Sequence, residues 1–346
     1  METLASHPKP LHQQSHLQAD QQTPHPILLR PTGKDYLWGG QKLNKEYGKH
    51  IYLDPLAETW ECSAHPDGPS YATAGDFKGK SLAEIISLHP EYLGSKCESS
   101  RGFPILVKFI DAAKDLSVQV HPSDEYAMKY EHGQNGKTEM WYVLEAKEGA
   151  KLVWGFEHEV DTELLKKNIK AGTLHNDLHY VPVHKGDVFL IEAGTVHAIG
   201  AGIVLAEIQE SSNLTYRLYD YNRPDPHTGK LRELHFDKAC AVLNMEPIGN
   251  TNQKNRLVKY FYGCSREVLC RCKYFETERI RVTKGFSFSV RNESFQVLLC
   301  INGEGGLETE EGDRPLRFRK GSCIFLPAGI GRCHVIGECE LLKIRC

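Results

Sequence analysis

The chain of 346 residues has no apolar run that approaches the roughly 20 residues a transmembrane helix needs. It also has little net charge, −3 at a pI of about 6.6, so no basic surface for nucleic acid or for a membrane is indicated. The first residues lack the apolar stretch of a secretory signal, and we therefore expect a cytoplasmic protein. The sequence carries no signal for the oligomeric state.

A disulfide framework is not expected either. The 11 cysteines are an odd number in a chain without a secretory signal, and eight of them lie from Cys264 onward. We expect reduced cysteines that pack as small apolar residues in strands. A second metal site at the C-x-C pair Cys270 and Cys272 is the alternative.

Short β-rich segments, separated by turns of Gly, Pro, Asn and Asp, make up most of the sequence. Helical patterns, marked by apolar spacing and acidic first turns, interrupt them at about 81–93, 162–171 and 236–243. Many short strands with few helices predict a mainly β fold of the jelly-roll or barrel type. The length and the 40% apolar content suffice for one or two cores.

Four side chains that carry N and O ligand atoms are the strongest functional signal: Gln119, His121, Glu139 and His197. Gln119 and His121 are two residues apart, so in a strand both side chains point to the same face. A polar residue that points inward needs a partner, and a metal ion is one such partner. The set contains no thiolate, which favours zinc, iron or manganese. A core histidine without a metal is the common alternative for His121.

A weak internal repeat relates residues 186–194 to residues 321–329, each a glycine turn, a buried strand and Ala-Gly. Aligned without gaps, His197 falls opposite Arg332, so the second copy lacks that ligand. We predict two related barrels, a metal-bearing one over 26–245 and a metal-free one over 255–346. Two unrelated strands that follow glycine turns are the alternative. Residues 1–25, rich in His, Gln and Pro, are predicted to be a disordered extension.

Several ordered motifs carry a family resemblance: KDYLWGG (34–40), AETWECSAHPDG (57–68), FPILVKFI (103–110), LSVQVHPSDEY (116–126), GKTEMWY (136–142) and the segments 186–202 and 207–223. From about Leu28 to the C terminus, the sequence resembles type I mannose-6-phosphate isomerase in its short bacterial form. The family often has Pro where Thr138 and Glu192 stand, a difference that concerns local loop shape.

The resemblance implies a cupin-type fold with two jelly-roll barrels. It also implies a zinc-dependent aldose–ketose isomerase that acts on mannose 6-phosphate and fructose 6-phosphate. It assigns one zinc ion per chain to the same four side chains that the sequence pattern selects: Gln119, His121, Glu139 and His197.

Three further side chains are candidates for the chemistry. Glu207 is the first choice for the proton-transfer base, because the resemblance places a pocket carboxylate there. Arg217 resembles the family's active-site arginine, and a guanidinium suits an enediolate or a phosphate. Lys137, two residues before Glu139, would share its face in a continuous strand and contact a sugar oxygen or assist proton transfer. A salt-bridged Glu207, a surface arginine and a turn lysine are the plain alternatives.

Lys108 and Ser117 are predicted to contact the substrate phosphate. They stand nine residues apart, the spacing of a phosphate-contacting lysine and serine in the family. A hairpin through residues 111–115 would bring them side by side. A solvated lysine and a strand-edge serine are the alternatives. Most of the four tryptophans are expected to pack in the core, and none is assigned to the substrate.

Two other functions compete with the isomerase. Two histidines and one glutamate also resemble the ligand set of a cupin-type iron oxygenase. Gln119 as a fourth ligand, with Lys108 and Ser117 placed for an anion, argues against it. A non-catalytic sugar-phosphate-binding module is the third hypothesis, and the presence of Lys137, Glu207 and Arg217 argues against that one.

Overall fold

Short antiparallel strands dominate the protein. The computed structural model describes residues 24–97, 102–225, 228–249, 253, 255–310, 312 and 314–346. The predicted N-terminal extension lies outside these residues except for its last two. The prediction of a mainly β fold is confirmed. No helix in the described ranges is long and apolar enough to cross a membrane.

The strands fall into two groups along the chain. The first group is β1 (Ile27–Arg30), β2 (Thr32–Lys34), β3 (Glu58–Cys62), β4 (Tyr71–Ala72), β5 (Ile105–Ala112), β6 (Val118–Val120), β7 (Glu139–Ala146), β8 (Lys151–Phe156), β9 (Leu178–Pro182), β10 (Val188–Ile191), β11 (His197–Ile199), β12 (Ile203–Glu210) and β13 (Tyr216–Tyr219). The second group is β14 (Val258–Phe261), β15 (Cys264–Arg271), β16 (Glu276–Val282), β17 (Gly285–Val290), β18 (Gln296–Thr309), β19 (Leu316–Arg319), β20 (Cys323–Leu326) and β21 (Gly331–Arg345).

These strands form three sheets. The six-stranded sheet has the order β10-β7-β12-β5-β3-β2, and the five-stranded sheet has the order β13-β6-β11-β8-β9. The ten-stranded sheet has the order β14-β15-β16-β21-β18-β20-β1-β4, with β17 paired to β21 and β19 to β18. Strands β1 and β4 from the first part of the chain therefore complete the C-terminal sheet. The domain boundary between residues 245 and 255 stays a prediction.

Five α-helices lie in the described residues: α1 (Lys42–Tyr47), α2 (Leu82–Leu88), α3 (Asp124–Tyr130), α4 (Thr162–Ala171) and α5 (Phe236–Cys240). The prediction for α4 is confirmed at both ends. The segment 81–93 divides into α2 and a 3-10 turn, Pro90–Leu93, and α5 is shorter than predicted. Helices α1 and α3 were not predicted.

A capping box explains where α2 begins. The Ser81 hydroxyl accepts a hydrogen bond from the backbone N–H of Glu84 at 3.2 Å. The Glu84 carboxylate in turn accepts the backbone N–H of Ser81 at 2.7 Å. These two reciprocal bonds satisfy donors that the first turn of a helix otherwise leaves unpaired.

The six-stranded sheet is the middle layer of the molecule, and both of its faces are buried. Along β7, Trp141 and Val143 pack in one apolar cluster with residues of the five-stranded sheet. The alternate residues Met140 and Tyr142 pack in another cluster with residues of the ten-stranded sheet. Because side chains alternate along a strand, Glu139 shares the face of Trp141 and points towards the five-stranded sheet.

The outer layers complete the core. The far side of the five-stranded sheet packs on helices α4 and α5, with Leu165 and Ala239 in the same apolar cluster as Val153. The ten-stranded sheet encloses a separate cluster that contains Ile280 and Val335. The polar groups described below lie on the one face that the six- and five-stranded sheets turn towards each other.

The two segments of the internal repeat adopt the same local geometry. Gly186 and Gly194 have φ of 93° and 89°, and Gly321 and Gly329 have φ of 90° and 82°. These positive φ angles favour glycine at each position. Strands β10 and β20 lie between the two glycines in their respective copies. The two segments thus share a local geometry, and the relation between the two parts of the chain stays a prediction. The described strands form open sheets and not the two closed barrels that the sequence predicted.

All cysteines are free thiols, and most of them are buried. Cys270 lies in the apolar core, and Cys272 packs against its edge. Among the described residues, neither belongs to a group of three or more candidate metal ligands. The seven buried cysteines thus pack as small apolar residues, as expected from the sequence.

Replacement of Phe325 by Ala should destabilise the protein. Its ring is fully buried between the six- and ten-stranded sheets and lies 5.5 Å from the ring of Phe295, centroid to centroid. We expect a loss of about 3–5 kcal/mol in the free energy of unfolding, measured by urea denaturation. The exposed Tyr52 is the control, and Tyr52→Ala should leave the urea midpoint unchanged. An unchanged midpoint for Phe325→Ala would contradict the packing of these two sheets.

Candidate active site

Two facing sheets supply three candidate metal ligands. Glu139 begins β7 in the six-stranded sheet, His197 begins β11 in the five-stranded sheet, and His121 directly follows β6. Nε2 of His121 lies 3.1 Å from Nε2 of His197. The Glu139 carboxylate lies 3.6 Å from His121 and 3.4 Å from His197. All three side chains are buried, and their ligand atoms lie within 4.8 Å of one another.

The hydrogen bonds of the two imidazoles fix which nitrogen faces the centre. Nδ1 of His121 donates to the Leu214 carbonyl at 2.8 Å, and Nδ1 of His197 donates to the Thr195 carbonyl at 2.9 Å. A carbonyl only accepts, so in each neutral ring Nε2 carries the lone pair, and that of His121 accepts a hydrogen bond from the Lys137 ammonium at 3.0 Å. Burial, with the Lys137 ammonium, lowers the pKa of His121 well below its ordinary value and that of His197 to about 4. Both rings are therefore ready to bind a cation through Nε2.

The Glu139 carboxylate is poorly satisfied. Nζ of Lys137 forms an ion pair with Oε2 at 2.6 Å and lies 3.0 Å from Nε2 of His121. Despite that ion pair, neither Glu139 oxygen accepts a well-directed hydrogen bond from the described residues. Burial, followed by the nearby Glu207, raises the pKa of Glu139 to about 7. A divalent metal ion fits this set, because it would pair with the carboxylate and both imidazole lone pairs at once.

Gln119 lies beside the three. Its Nε2 is 3.4 Å from Nε2 of His197, and its Oε1 accepts a hydrogen bond from the Ser117 hydroxyl at 3.4 Å. Rotation of the amide by 180° exchanges the nitrogen and the oxygen. The oxygen, which is the atom that ligates a metal, then faces His197. The structure thus brings all four predicted ligands together.

Lys108 and Glu207 form a buried ion pair in the same layer. Nζ of Lys108 lies 2.9 Å from Oε1 of Glu207 and 3.7 Å from Oε2 of Glu58. The indole N–H of Trp141 donates to the other oxygen of Glu207 at 2.9 Å. Burial disfavours both charges, but the oppositely charged partners outweigh it. Glu207 and Glu58 raise the pKa of Lys108. Lys108 and Lys137 lower the pKa of Glu207 to about 2. In this arrangement Glu207 is ionised and only weakly basic.

Arg217 reaches across from β13. Its Nε donates to the Ser117 hydroxyl at 3.3 Å, and its Nη1 donates to the Glu233 carbonyl at 3.0 Å. Burial and the neighbouring Arg232 guanidinium lower the pKa of Arg217, which nevertheless stays a cation at neutral pH.

The predicted hairpin between Lys108 and Ser117 is wrong. Strand β5, which carries Lys108, belongs to the six-stranded sheet, and β6, which follows Ser117, belongs to the five-stranded sheet. The chain crosses from one layer to the other in residues 113–117 instead of turning back within one sheet. Both side chains nevertheless line the same cavity, from its two opposite walls.

That cavity has a volume of about 270 Å³ and lies between the two sheets. Its walls include the predicted residues Lys108, Ser117, Gln119, Lys137, Glu207 and Arg217. A larger groove of about 900 Å³, between β1, α1 and β19, contains none of them. We place the chemistry in the smaller cavity, because the metal-ligand cluster adjoins it through Gln119 and Lys137.

Two charged residues of the cavity wall, Glu58 and Arg232, were not predicted from the sequence. Glu58 is buried, and its carboxylate accepts the indole N–H of Trp60 at 2.8 Å. Glu58 and Trp60 stand two residues apart on one face of β3, and this spacing was the signal in the sequence that pointed to Glu58. Arg232 lies in a polar segment after β13, where nothing in the sequence distinguishes it from a solvated arginine.

Comparisons with known proteins agree with this geometry. Residues 27–150 match the model of the phosphomannose isomerase type I catalytic domain, and residues 266–346 match that of the mannose-6-phosphate isomerase cupin domain. The chain is 36% identical over 321 residues to the mannose-6-phosphate isomerase ManA of Bacillus subtilis, which covers 92% of this chain and 98% of that protein. It is 35% identical over 317 residues to the mannose-6-phosphate isomerase of Streptococcus mutans, with 92% and 97% covered.

Solved structures show the same similarity. The crystal structure of the mannose 6-phosphate isomerase from Bacillus subtilis superposes with a TM-score of 0.85 at 33% identity, over 92% of this chain and 99% of that one. A phosphomannose isomerase from Salmonella typhimurium superposes with a TM-score of 0.73 at 17% identity. At that identity, the similarity concerns the fold alone. The predicted cupin-type fold is confirmed, and the chain belongs to the type I mannose-6-phosphate isomerase family.

Proposed function

We propose that this protein interconverts mannose 6-phosphate and fructose 6-phosphate and binds one zinc ion through Gln119, His121, Glu139 and His197. The observation that carries the proposal is the buried Glu139 carboxylate, which faces two imidazole lone pairs beside a cavity with cationic walls. The names of the relatives at 35–36% identity support the substrate pair.

The donor set suits zinc. Two imidazoles and one carboxylate are ordinary zinc ligands, and a catalytic zinc site keeps a position open for substrate or water. When bound there, zinc supplies a Lewis acid that polarises a carbonyl or hydroxyl oxygen of the sugar. Manganese and iron accept similar ligands, so the choice of zinc is part of the proposal.

The chemistry requires a proton to move between C1 and C2 of the sugar. We propose that Glu207 accepts this proton, because its carboxylate is ionised and lines the cavity. The Lys108 ammonium, 2.9 Å away, keeps Glu207 weakly basic, so a shift of Lys108 towards a substrate oxygen would raise the basicity of the carboxylate. Lys137 lines the same wall and would contact a sugar oxygen or relay a proton.

The charge that develops on oxygen also needs a partner. Arg217 is the proposed group, because it is cationic at every working pH and lines the cavity opposite Glu207. Ser117 and Lys108 are proposed to contact the substrate, with Ser117 at the phosphate, since its hydroxyl already bonds to Arg217 at 3.3 Å. Glu207 already balances the charge of Lys108, so Lys108 is less suited than Ser117 and Arg217 to bind the phosphate.

Purified protein should convert mannose 6-phosphate to fructose 6-phosphate. We expect a chelator to abolish turnover and added zinc to restore it, because the cluster alone lacks the Lewis acid. A coupled assay for fructose 6-phosphate measures both effects. Unchanged turnover in the metal-free protein would contradict the metal requirement. Oxygen consumption by iron-loaded protein, without isomerisation, would favour the oxygenase instead.

Loss of one imidazole should weaken metal binding. His197→Ala removes one of four proposed ligands and should leave less than about a tenth of the bound zinc after dialysis, measured by inductively coupled plasma mass spectrometry. The control is His184→Ala, because the His184 side chain is 79% exposed and lies away from the cluster. Retention of one zinc per chain by the His197 variant would contradict the ligand assignment.

Arg217→Ala should separate catalysis from metal binding. We expect zinc content to stay at the parent level and kcat to fall by roughly 100-fold, as for the loss of a charge-stabilising donor. Arg281→Ala is the matched control, because Arg281 is exposed in β16 of the C-terminal sheet. A normal kcat for the Arg217 variant would show that its assigned role is wrong.

A further inference from the structure

A buried carboxylate, Asp220, holds two arginines beside the outer end of the cavity, and a third arginine lies near them. Arg232 donates from Nε and Nη2 to the two oxygens of Asp220 at 2.7 and 2.6 Å. Arg223 donates to the same Asp220 at 2.7 Å. Arg217 is close enough for the charge of Arg232 to lower its pKa. Asp220 is shared between Arg223 and Arg232, and Arg217 forms no ion pair with a carboxylate among the described residues, so guanidiniums outnumber their carboxylate partners here.

The inner end of the cavity holds charges that are already paired. Lys108 pairs with Glu207 and Glu58, and Lys137 pairs with Glu139. A phosphate dianion placed there would compete with these carboxylates for the two ammoniums. At the outer end it would meet Arg217, which forms no ion pair with a carboxylate among the described residues.

The orientation of Arg232 suits an oxyanion in the cavity. Arg217 and Arg232 both line the cavity, and Arg223 does not. The Arg232 side chain is only 17% exposed, and Asp220 holds two of its nitrogens. Its Nη1 makes no hydrogen bond among the described residues and is left to donate to a ligand. A planar guanidinium fixed in this way loses little freedom when it binds phosphate.

We propose that Arg232 binds the phosphate group of the hexose phosphate, next to Arg217 and oriented by Asp220, and thereby sets the preference for a phosphorylated over a free sugar. This inference rests on the proposed function. It assigns the phosphate mainly to the arginine end and leaves Lys108 to pair with Glu207. Arg232 acts in binding and takes no part in proton transfer.

Arg232→Gln tests the assignment, because it removes the charge and keeps a polar side chain. We expect KM for mannose 6-phosphate to rise about 10- to 100-fold, as for the loss of a charge-assisted hydrogen bond, with kcat within about threefold of the parent. With unphosphorylated mannose, kcat/KM should change by less than about threefold. Zinc content should stay constant. Arg281→Gln, the same change on the exposed face of β16, is the control and should leave both sugars unaffected.

Inorganic phosphate provides a readout that does not depend on turnover. Its stabilisation of the parent in a thermal shift assay should require about tenfold more phosphate in Arg232→Gln. Arg232→Lys keeps the charge without the planar fork and should recover part of that affinity. Asp220 keeps Arg223 as a partner at 2.7 Å in either variant, so the fold should persist.

Two results with Arg232→Gln would overturn the assignment. One is an unchanged KM together with an unchanged phosphate affinity. The other is an equal loss of kcat/KM on the phosphorylated and the free sugar. A loss that Arg223→Gln reproduces in full would also overturn it, because Arg223 lies outside the cavity. A parent that turns over no mannose 6-phosphate would refute the proposed function instead. The phosphate titration would then still decide whether Arg232 binds the anion.

Discussion

A buried carboxylate between two neutral imidazoles is the constraint on which the site depends. Glu139 cannot be solvated, and its one close cation, Lys137, leaves its oxygens without well-directed hydrogen bonds among the described residues. Removal of such a charge from water costs several kcal/mol unless partners replace the solvent. The backbone carbonyls that hold the two imidazoles turn both Nε2 lone pairs to the same point. The carboxylate and the two imidazoles are therefore arranged as the ligands of a cation.

The layered architecture makes this arrangement possible. Strands of the six-stranded sheet are buried on both faces, so their alternation sorts side chains between two cores. The face turned towards the five-stranded sheet is apolar at Trp141 and Val143 and becomes charged at Glu139. The apolar part excludes water from the charged part, which strengthens every electrostatic interaction there. The cavity then has paired lysines and carboxylates at its inner end and arginines at its outer end, which suits a sugar that carries its reactive carbons and its phosphate at opposite ends.

Local sequence patterns predicted the parts of the site that strand geometry determines. Gln119 and His121 share a face because side chains repeat every two residues, and the structure places both beside His197. Glu139 and His197 lie on strands of different sheets; their N and O ligand atoms made them candidates, and the family resemblance selected the same two residues. Helix α3 was missed although Ser123 caps it, because its signal follows directly on a strand motif. The hairpin between Lys108 and Ser117 failed for a related reason: no local pattern reveals that a chain leaves one sheet for another. Arg232 depends on Asp220, a partner 12 residues away in an irregular segment.

X-ray absorption spectroscopy at the zinc edge of the purified protein would show directly whether a metal ion lies among these side chains. We expect one ion per chain with nitrogen and oxygen ligands at about 2.0–2.2 Å, two of them imidazoles, and no sulfur scattering. The same spectrum from Glu139→Gln should lose most of its intensity at equal protein concentration. Sulfur ligands near 2.3 Å would place the ion among the C-terminal cysteines and contradict the account. Imidazole ligation that survives the loss of both His121 and His197 would contradict it equally.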